Sequence, residues 1–457
     1  MIVRNFLFLG LGEITGRIFS FLAILYLTRK ISLINFGGIN FALSYINYFS
    51  LLTNLGLLTY GIRKIAQSFE IKKTVDKIFS TRLLLGILAT FLSISLVNLI
   101  KGDIIFKKLI LIYSLFILFD AINLEWFFLG KEEIRFCTLN RFFVNFLYFL
   151  LLLIFLRSDK EILIIPLSFI LGNLVGSLML IYFYHKRFYK IDFQLNIKEK
   201  LSLLKETLPL GGAQILIQVY TLSGIIFLGI FKMKKELGYY SSGFRVLLIL
   251  MIFDRIFNQV VLPFLAKKFQ NREFTLLENI TRLALSFLLP IIFFLFIVSK
   301  KLFLFLFPIE YLPGKVVFQF LLGFFIFTLL NSIFSLSLIA LKKDRQYFKN
   351  IFIGTLFNLL MVIILTKIFL HLGAAFSLLL TEFLIFWLNF WTLQSFYKFK
   401  FLTCLLFPLL LTFLVSLPLL LFRNFSFLIL SFLFLIFYFG LLLIFKKEIK
   451  KDYSLLK

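Results

Sequence analysis

The chain has 457 residues, of which 61% are hydrophobic and 19% aromatic. Water-soluble domains average about 45–50% apolar residues, so this composition excludes an ordinary soluble protein. The formal net charge of +27 is spread over short Lys and Arg clusters between apolar runs, without a long basic tail or basic domain, and this excludes a nucleic-acid partner.

Apolar runs of about 20 residues recur along the whole chain, which is the length needed to cross a hydrocarbon core of ~30 Å. They predict an all-α polytopic membrane protein with 14 spanning helices. We interpret the first run as a spanning helix, because no small-residue cleavage site follows it. The predicted spans are 4–27, 38–60, 80–100, 105–129, 138–156, 162–184, 208–230, 243–265, 280–299, 316–340, 348–369, 373–396, 402–422 and 425–445.

An even number of spans places both termini on one side of the membrane. With that side inside, the inner loops hold about 30 Lys and Arg and the outer loops roughly 15. We therefore expect both termini in the cytoplasm and the protein in the cytoplasmic membrane. No outer connection exceeds roughly 16 residues, so the function is expected to lie within the membrane.

An internal repeat becomes visible when the chain is shifted by 201 residues. The stretch "LGLGEITGRIFSFLAILYL" then meets "LGGAQILIQVYTLSGIIFL", so that Glu13 faces Gln214 and Arg17 faces Gln218. The repeat predicts two six-helix lobes related by a pseudo-twofold axis, followed by two appended helices. The expected boundaries are 1–184 for the first lobe, 185–207 for a basic cytoplasmic linker, 208–396 for the second lobe, and 397–457 for the last two helices and a basic tail.

Glu13 and Arg17 lie four residues apart inside the first predicted span. A charged side chain at mid-bilayer depth costs roughly 2.5–3.5 kcal/mol, so a compensating feature is expected. One interpretation is a neutralising pair within the helix. The other is a polar face that lines a cavity between the two lobes, which the matching Gln214 and Gln218 favour.

Further ionisable residues occur inside the other predicted spans. In the eighth span, Asp254 and Arg255 point ~100° apart, so at least one of them should face a partner elsewhere. Substrate contact and structural pairing are both open for Arg255, and Arg245 could instead reach the outer interface. Glu382 is either a proton or cation site or the acceptor of a hydrogen bond inside the bundle.

The end of the fourth predicted span, "FDAINLEWFFLGKEE", is also polar. Asp120 is the deeper acid, and Arg17 and Arg255 are its candidate partners. We interpret Glu125 and Trp126 as markers of the inner membrane boundary.

Motifs of covalent chemistry are missing from the sequence. It contains neither G-x-x-x-x-G-K-[ST] nor G-x-S-x-G, so neither a P-loop ATPase nor a nucleophile-elbow hydrolase is supported. Cys137 and Cys404 stand far apart, and the only two histidines lack a cluster of carboxylates, so no disulfide, metal site or cofactor is expected. Transport fits this pattern better than catalysis.

Four stretches carry a resemblance to a known family: "NLGLLTYGIRKIA", "LEWFFLGKEE", "LGYYSSGFRV" and "HLGAAFSLLLTEF". The chain resembles the polysaccharide flippases of the multidrug/oligosaccharidyl-lipid/polysaccharide exporter superfamily. Those proteins translocate lipid-linked oligosaccharide repeat units for O-antigen and capsule export. The resemblance implies a V-shaped pair of six-helix lobes around a cationic cavity, with Arg17, Arg245 and Arg255 as cavity residues.

The residues themselves agree with that implication, because Arg suits bidentate contact with phosphate. Glu13 would then hold Arg17 in place and keep it from binding a diphosphate too tightly. We expect undecaprenyl-diphosphate-linked oligosaccharide as the substrate, membrane lipids as partners, and polysaccharide polymerase machinery as a further candidate partner. Asp120, Asp254 and Glu382 are the candidate supporting or coupling residues.

Two alternatives remain open, one within transport and one in another functional class. A cation-coupled multidrug antiporter of the same superfamily should have a more acidic cavity, so the deep arginines count against it. A membrane-embedded glycan polymerase or ligase generally needs a sizeable outer loop with catalytic Arg or His, and no such loop is predicted.

Overall fold

The computed structural model describes residues 16, 18–67, 70–100, 103–231, 233–270, 275–341, 343–422 and 424–445. The side chains at 209, 210, 255, 256, 259–270 and 275 lie outside this description. Over the described ranges every long element is an α-helix and no strand occurs. Lipid offers no hydrogen-bond partners to the backbone, so long apolar runs fold into helices that satisfy their own amides and carbonyls.

The described part of the first helix, α1, covers residues 18–30. The helices of the first half that follow it are α2 (Leu33–Asn54), α3 (Leu57–Ala66), α4 (Ile71–Val97), α5 (Ile104–Ser114), α6 (Phe116–Ala121), α7 (Glu125–Gly130), α8 (Ile134–Phe155), α9 (Ile164–Arg187) and α10 (Ile197–Ile230). Those of the second half are α11 (Lys234–Gln270), α12 (Thr275–Leu306), α13 (Gly314–Ala340), α14 (Asp344–Gln394), α15 (Phe401–Leu421) and α16 (Phe427–Ile444).

The chain is a multi-pass membrane protein. Ten of the described helices are long and apolar enough to cross a bilayer, or up to 11 spans if α2 and α3, which meet at a bend of 45°, count as one. The predicted fourth span is divided among α5, α6 and α7, and the predicted eleventh and twelfth spans share α14. Within α14 the helical backbone is interrupted at Leu370, with φ 55° and ψ −133°. The number 14 stays a prediction.

Internal contacts divide the chain into two compact units, Met1–Gly238 (unit 1) and Tyr239–Lys457 (unit 2). The core of unit 1 includes Trp126, Phe127 and Tyr184. Unit 2 contains one cluster around Phe334 and Phe386, and another in which α15 and α16 pack on α12. The predicted lobes follow the sequence repeat rather than these contacts, and their boundaries stay a prediction.

Close glycine contacts explain why α10 and the start of α11 belong to unit 1. Gly56 has a left-handed backbone (φ 82°), and a Cβ on it would lie 2.9 Å from the amide nitrogen of Gly211 and overlap the carbonyl oxygen of Thr207. Near the other end of α2, a Cβ on Gly37 would lie 2.8 Å from the amide nitrogen of Gly238, in the first turns of α11. Two backbones can approach this closely only where side chains are absent, so α10 is held at one end of α2 and the start of α11 at the other.

The connection between α9 and α10 is anchored on α4. The backbone amide of Asp192 donates to Asp76 Oδ1 at 2.9 Å, and that of Gln194 donates to Ser80 Oγ at 2.9 Å. The Asn196 side chain then accepts from the amide of Glu199 at the start of α10. The expected linker 185–207 is therefore part helix and part extended chain held against unit 1.

Candidate functional site

The residues singled out from the sequence fall into three groups. Glu13 and Arg17 lie outside the described residues. Arg255 lies in α11, but its side chain is outside the description, and Arg245 on the same helix is half-buried. On α10, Gln214 is exposed and Gln218 is half-buried. Their common role in one cavity therefore stays a prediction.

Asp120 lies at a polar break in the fourth predicted span. Helix α6 ends at Ala121 and α7 begins at Glu125, and between them the amide of Asn123 donates to the carbonyl of Asp120 at 3.2 Å, the tighter spacing of a 3₁₀ turn. Ser50 Oγ and Thr53 Oγ1 of α2 donate to Asp120 Oδ2 at 2.7 and 3.2 Å. The Asn123 side chain accepts from the amide of Glu125 at 2.8 Å and so supports the first turn of α7.

The ionic partner of Asp120 is Arg82, which the sequence did not single out. Its side chain is only 2% exposed, and Nη2 lies 3.8 Å from Asp120 Oδ2. The guanidinium also donates to the backbone carbonyls of Asn123 at 2.7 Å and Asp120 at 2.6 Å. Arg82 thus provides donors to carbonyls at the helix break, in a place where lipid and apolar side chains provide none.

A second ion pair lies beside the first. Arg141 on α8 places Nη2 and Nε 2.5 and 2.6 Å from Glu125 Oε1. Gly16 brings the first helix close to this point, because a Cβ on it would lie 3.3 Å from the carbonyl oxygen of Arg141. Trp126 is 2% exposed and packs in the core of unit 1, and its interpretation as a marker of the inner membrane boundary stays a prediction.

These groups line a cavity of about 390 Å³ inside unit 1, referred to below as the unit 1 cavity. Most of its polar lining comes from α4, α8, α9 and the break between α6 and α7. The lining residues are Leu58, Ile62, Arg82, Asp120, Asn123, Glu125, Trp126, Leu129, Asn140, Arg141, Val144, Asn145 and Asn173.

Unit 1 also has a larger cavity, of about 660 Å³, which is lined mainly by apolar residues. Its polar lining includes Asp103 and Lys234, which form an ion pair at 2.5 Å. Both of these side chains are more than half exposed, so the pair is expected to contribute less than about 1 kcal/mol. The described lining of this cavity contains none of the residues that the sequence singled out as site residues.

Unit 2 contains its own buried polar cluster. Asp254 on α11 is 8% exposed and accepts from Ser332 Oγ at 2.5 Å and from Asn258 Nδ2 at 3.0 Å. Glu382 on α14 is 4% exposed and accepts from the side-chain amide of Asn331. The hydrogen-bonded alternative considered for Glu382 is therefore observed.

The amide network extends along α14. The side-chain amide of Asn389 donates to Asn331 Oδ1 at 3.3 Å, and Asn350 donates to Asn389 Oδ1 at 2.9 Å. All three asparagines are less than 9% exposed. In low-dielectric surroundings such a chain of side-chain hydrogen bonds orders the helices that contribute to it.

Arg82 and Arg141 were overlooked because each lies within three residues of the start of a predicted span, where a cation is usually solvated. The sequence did contain a signal for these two arginines. Each lies one helical turn inside an apolar run, and acidic residues occur in neighbouring runs. Among the described residues, no group of three or more His, Cys, Asp or Glu is placed to hold a metal ion.

The chain is similar to a known protein family and to a named relative. The family described as "Polysaccharide biosynthesis protein" matches residues 2–269. A Shigella dysenteriae protein named as an O-antigen transporter is 23% identical over 235 residues, which cover 50% of the chain and 58% of that relative. The chain thus matches somewhat more than half the length of this relative.

Solved structures show the same fold at low identity. A lipid II flippase, MurJ, in an inward closed conformation has a TM-score of 0.78 at 16% identity, and the match covers 96% of the chain and 99% of that structure. An inward-facing multidrug transporter of the MATE family has a TM-score of 0.67 at 12% identity, with 84% and 96% covered.

Proposed function

Because the chain belongs to the polysaccharide biosynthesis protein family, we propose that it is a flippase for undecaprenyl-diphosphate-linked oligosaccharide repeat units. It would move them from the inner to the outer leaflet of the cytoplasmic membrane, for surface polysaccharide biosynthesis. The relatives described above are transporters and flippases rather than enzymes, which supports transport over catalysis.

The observation that carries this proposal is the buried polar cluster within membrane-spanning helices of each unit. Ionisable groups at this depth are costly and usually mark a substrate or ion path. Arg82 and Asp120 form such a cluster in unit 1, and Asp254 and Glu382 contribute to one in unit 2. A transporter that moves a polar headgroup through lipid needs polar surfaces of this kind.

In the proposed mechanism, the two repeats alternate between inward and outward access. Arg17, Arg245 and Arg255 bind the diphosphate, since guanidinium groups match phosphate oxygens in geometry and charge. Gln214 and Gln218 contact the glycan, and Glu13 positions Arg17. In this proposal both termini would lie in the cytoplasm, and polysaccharide polymerase machinery would receive the product.

The first prediction tests the arginines in cells. Changing Arg17 or Arg255 to Ala is expected to abolish surface polysaccharide and to leave lipid-linked repeat units on the cytoplasmic leaflet, because the diphosphate loses a binding partner. Leaflet location is measured by accessibility of the glycan to a membrane-impermeant lectin in oriented vesicles. The control is Arg135→Ala, whose side chain is 62% exposed.

Two outcomes would contradict this proposal. If both variants export polysaccharide normally, the arginines have no part in transport. If single repeat units reach the outer face and remain unpolymerised, the block follows translocation and the polymerase alternative gains support. Glu13→Gln is expected to retain export, which separates a supporting role from direct binding.

The second prediction concerns energy coupling in unit 2. We propose that Glu382 and Asp254 bind the coupling proton or cation, because both carboxylates are buried among hydrogen-bond donors. Glu382→Gln keeps an oxygen acceptor for Asn331 but removes the charge. Flipping in proteoliposomes is expected to lose its response to an imposed proton or sodium gradient.

The matched control for this change is Glu310→Gln, since Glu310 is an exposed acid of unit 2. It should leave the gradient response intact. An unchanged response in Glu382→Gln would remove this residue from the coupling site. The same proteoliposomes test the antiporter alternative, because a multidrug antiporter would move a soluble organic cation and ignore the lipid-linked glycan.

A further inference from the structure

The unit 1 cavity is lined on one side by buried side chains and on the other by partly exposed side chains. Arg82, Trp126 and Asn140 are each no more than 3% exposed. The side chains of Asp120, Glu125 and Arg141 are 26%, 22% and 29% exposed. At about 390 Å³ the cavity falls in the lower part of the ~300–1,000 Å³ range of small-molecule sites. It can therefore admit a compact polar ligand.

The charges of the cavity balance. Its charged lining residues in the described part of the chain are two arginines and two acids. They are paired as Arg82 with Asp120 and Arg141 with Glu125. A diphosphate would have to compete with Asp120 and Glu125 for the guanidinium groups, and a cation would have to compete with the arginines for the carboxylates. The balance favours a neutral ligand.

Apart from the two ion pairs, the cavity lining contains both hydrogen-bond donors and hydrogen-bond acceptors. Arg82 Nε and Trp126 Nε1 are buried donors without a partner, and Asn140 Oδ1 is a buried acceptor without one. Asn145 and Asn173 each donate Nδ2 to a carbonyl of their own helix, at 2.7 and 2.8 Å, which leaves both Oδ1 atoms able to accept. The first three atoms lie beneath the cavity surface, so the neutral groups that a ligand can reach are the half-buried amides of Asn145 and Asn173.

A sugar ring meets these requirements. It is neutral and compact, and each hydroxyl both donates and accepts a hydrogen bond. Planar amide, carboxylate and guanidinium groups can each contact two neighbouring hydroxyls, and the lining supplies all three kinds.

We propose that the unit 1 cavity is a saccharide-reading subsite that binds one sugar residue of the transported glycan. This rests on the proposed function and deepens it, because it assigns sugar recognition to unit 1 and separates it from diphosphate binding. The hydroxyls of the sugar would contact Asn145 and Asn173 and the partly exposed side chains of Glu125 and Arg141. Selectivity would arise because a sugar that lacks a matching hydroxyl leaves these polar atoms unpaired.

The test uses the full chain in lipid nanodiscs with Trp387→Phe and Trp391→Phe, which leaves Trp126 as the only one of three tryptophans. The probes are undecaprenyl diphosphate without sugar and the same lipid carrying one glucose, galactose, N-acetylglucosamine or N-acetylgalactosamine. We expect at least one sugar-bearing lipid to bind more tightly than the bare lipid and to change the emission of Trp126. Asn145→Leu and Asn173→Leu should each weaken that binding about tenfold, the value of one lost hydrogen bond, and leave bare-lipid binding unchanged.

The control variant is Asn98→Leu, an exposed asparagine of unit 1 outside this cavity. Asn145→Ser and Asn173→Ser replace the leucine variants if those fail to fold. Equal affinity of the wild type for all five lipids, or an unchanged preference in the variants, overturns the subsite and leaves the flippase proposal standing. Failure of the wild type to bind any of the lipids contradicts the flippase proposal and the subsite together.

Discussion

Replacement of Arg82 by alanine is expected to destabilise unit 1 by about 3–5 kcal/mol, because two backbone carbonyls lose hydrogen bonds from a charged donor, each worth about 1.5–3 kcal/mol. The change leaves the Asp120 carboxylate without its ionic partner. It also removes donors to the carbonyls of Asp120 and Asn123 at the break between α6 and α7. Arg82→Lys should recover little, because a single ammonium group cannot reproduce the planar fork of donors.

The two cysteines allow each unit to be followed separately. Cys137 lies in unit 1 and Cys404 in unit 2, and both are buried, with exposures of 0% and 2%. A thiol-reactive dye therefore reports unfolding of unit 1 in a Cys404→Ala background and of unit 2 in a Cys137→Ala background. We expect Arg82→Ala to lower the thermal midpoint reported by Cys137 more than that reported by Cys404.

Two further variants sharpen this prediction. Arg135→Ala, at a side chain 62% exposed, should change stability by no more than about 0.5 kcal/mol. Adding Asp120→Asn to Arg82→Ala should restore part of the loss, since the double variant no longer leaves a half-buried carboxylate without its counter-ion. If Arg82→Ala melts like the wild type, the guanidinium does not support the helix break.

The substitution Gly56→Ala is expected to destabilise unit 1 by about 2–5 kcal/mol. Two effects add at this position. The left-handed backbone (φ 82°) disfavours any residue with a Cβ, and the added methyl group would overlap the carbonyl oxygen of Thr207 on α10. The contacting atoms belong to backbone, so relief requires α10 to move away from the bend between α2 and α3.

The matched control is Gly440→Ala on α16, where a Cβ would meet nothing within 4 Å. This change should be neutral or slightly stabilising, because alanine is a better helix former than glycine. The same dye assay measures both variants, and Gly211→Ala should behave like Gly56→Ala because a Cβ there would overlap the backbone of Gly56. Similar midpoints for Gly56→Ala and Gly440→Ala would show that α10 does not depend on the glycine contact.

The sequence alone determined the class of this protein. Apolar runs long enough to span a bilayer allow only helices that satisfy their own backbone groups, so an all-helical membrane protein followed from chain composition and spacing. The same reasoning singled out Asp120, Asp254 and Glu382 as acids inside predicted spans, because the position of a residue within an apolar run can be read from the sequence. The glycines at positions 37, 56, 211 and 238 can also be read from the sequence, but the contacts that they make cannot.

The tertiary structure alone decided which groups meet. Helical periodicity gives the face on which Asp120 lies but not the helix opposite it, so its partner Arg82, 38 residues away, could not be chosen from the sequence. The same holds for Asp254 and Ser332, which are 78 residues apart. The break between α6 and α7 contains neither Gly nor Pro, and it forms where Arg82 donates to the backbone carbonyls of Asp120 and Asn123 in place of helical amides. Local sequence limits what a segment can form, and packing against distant segments selects among those possibilities.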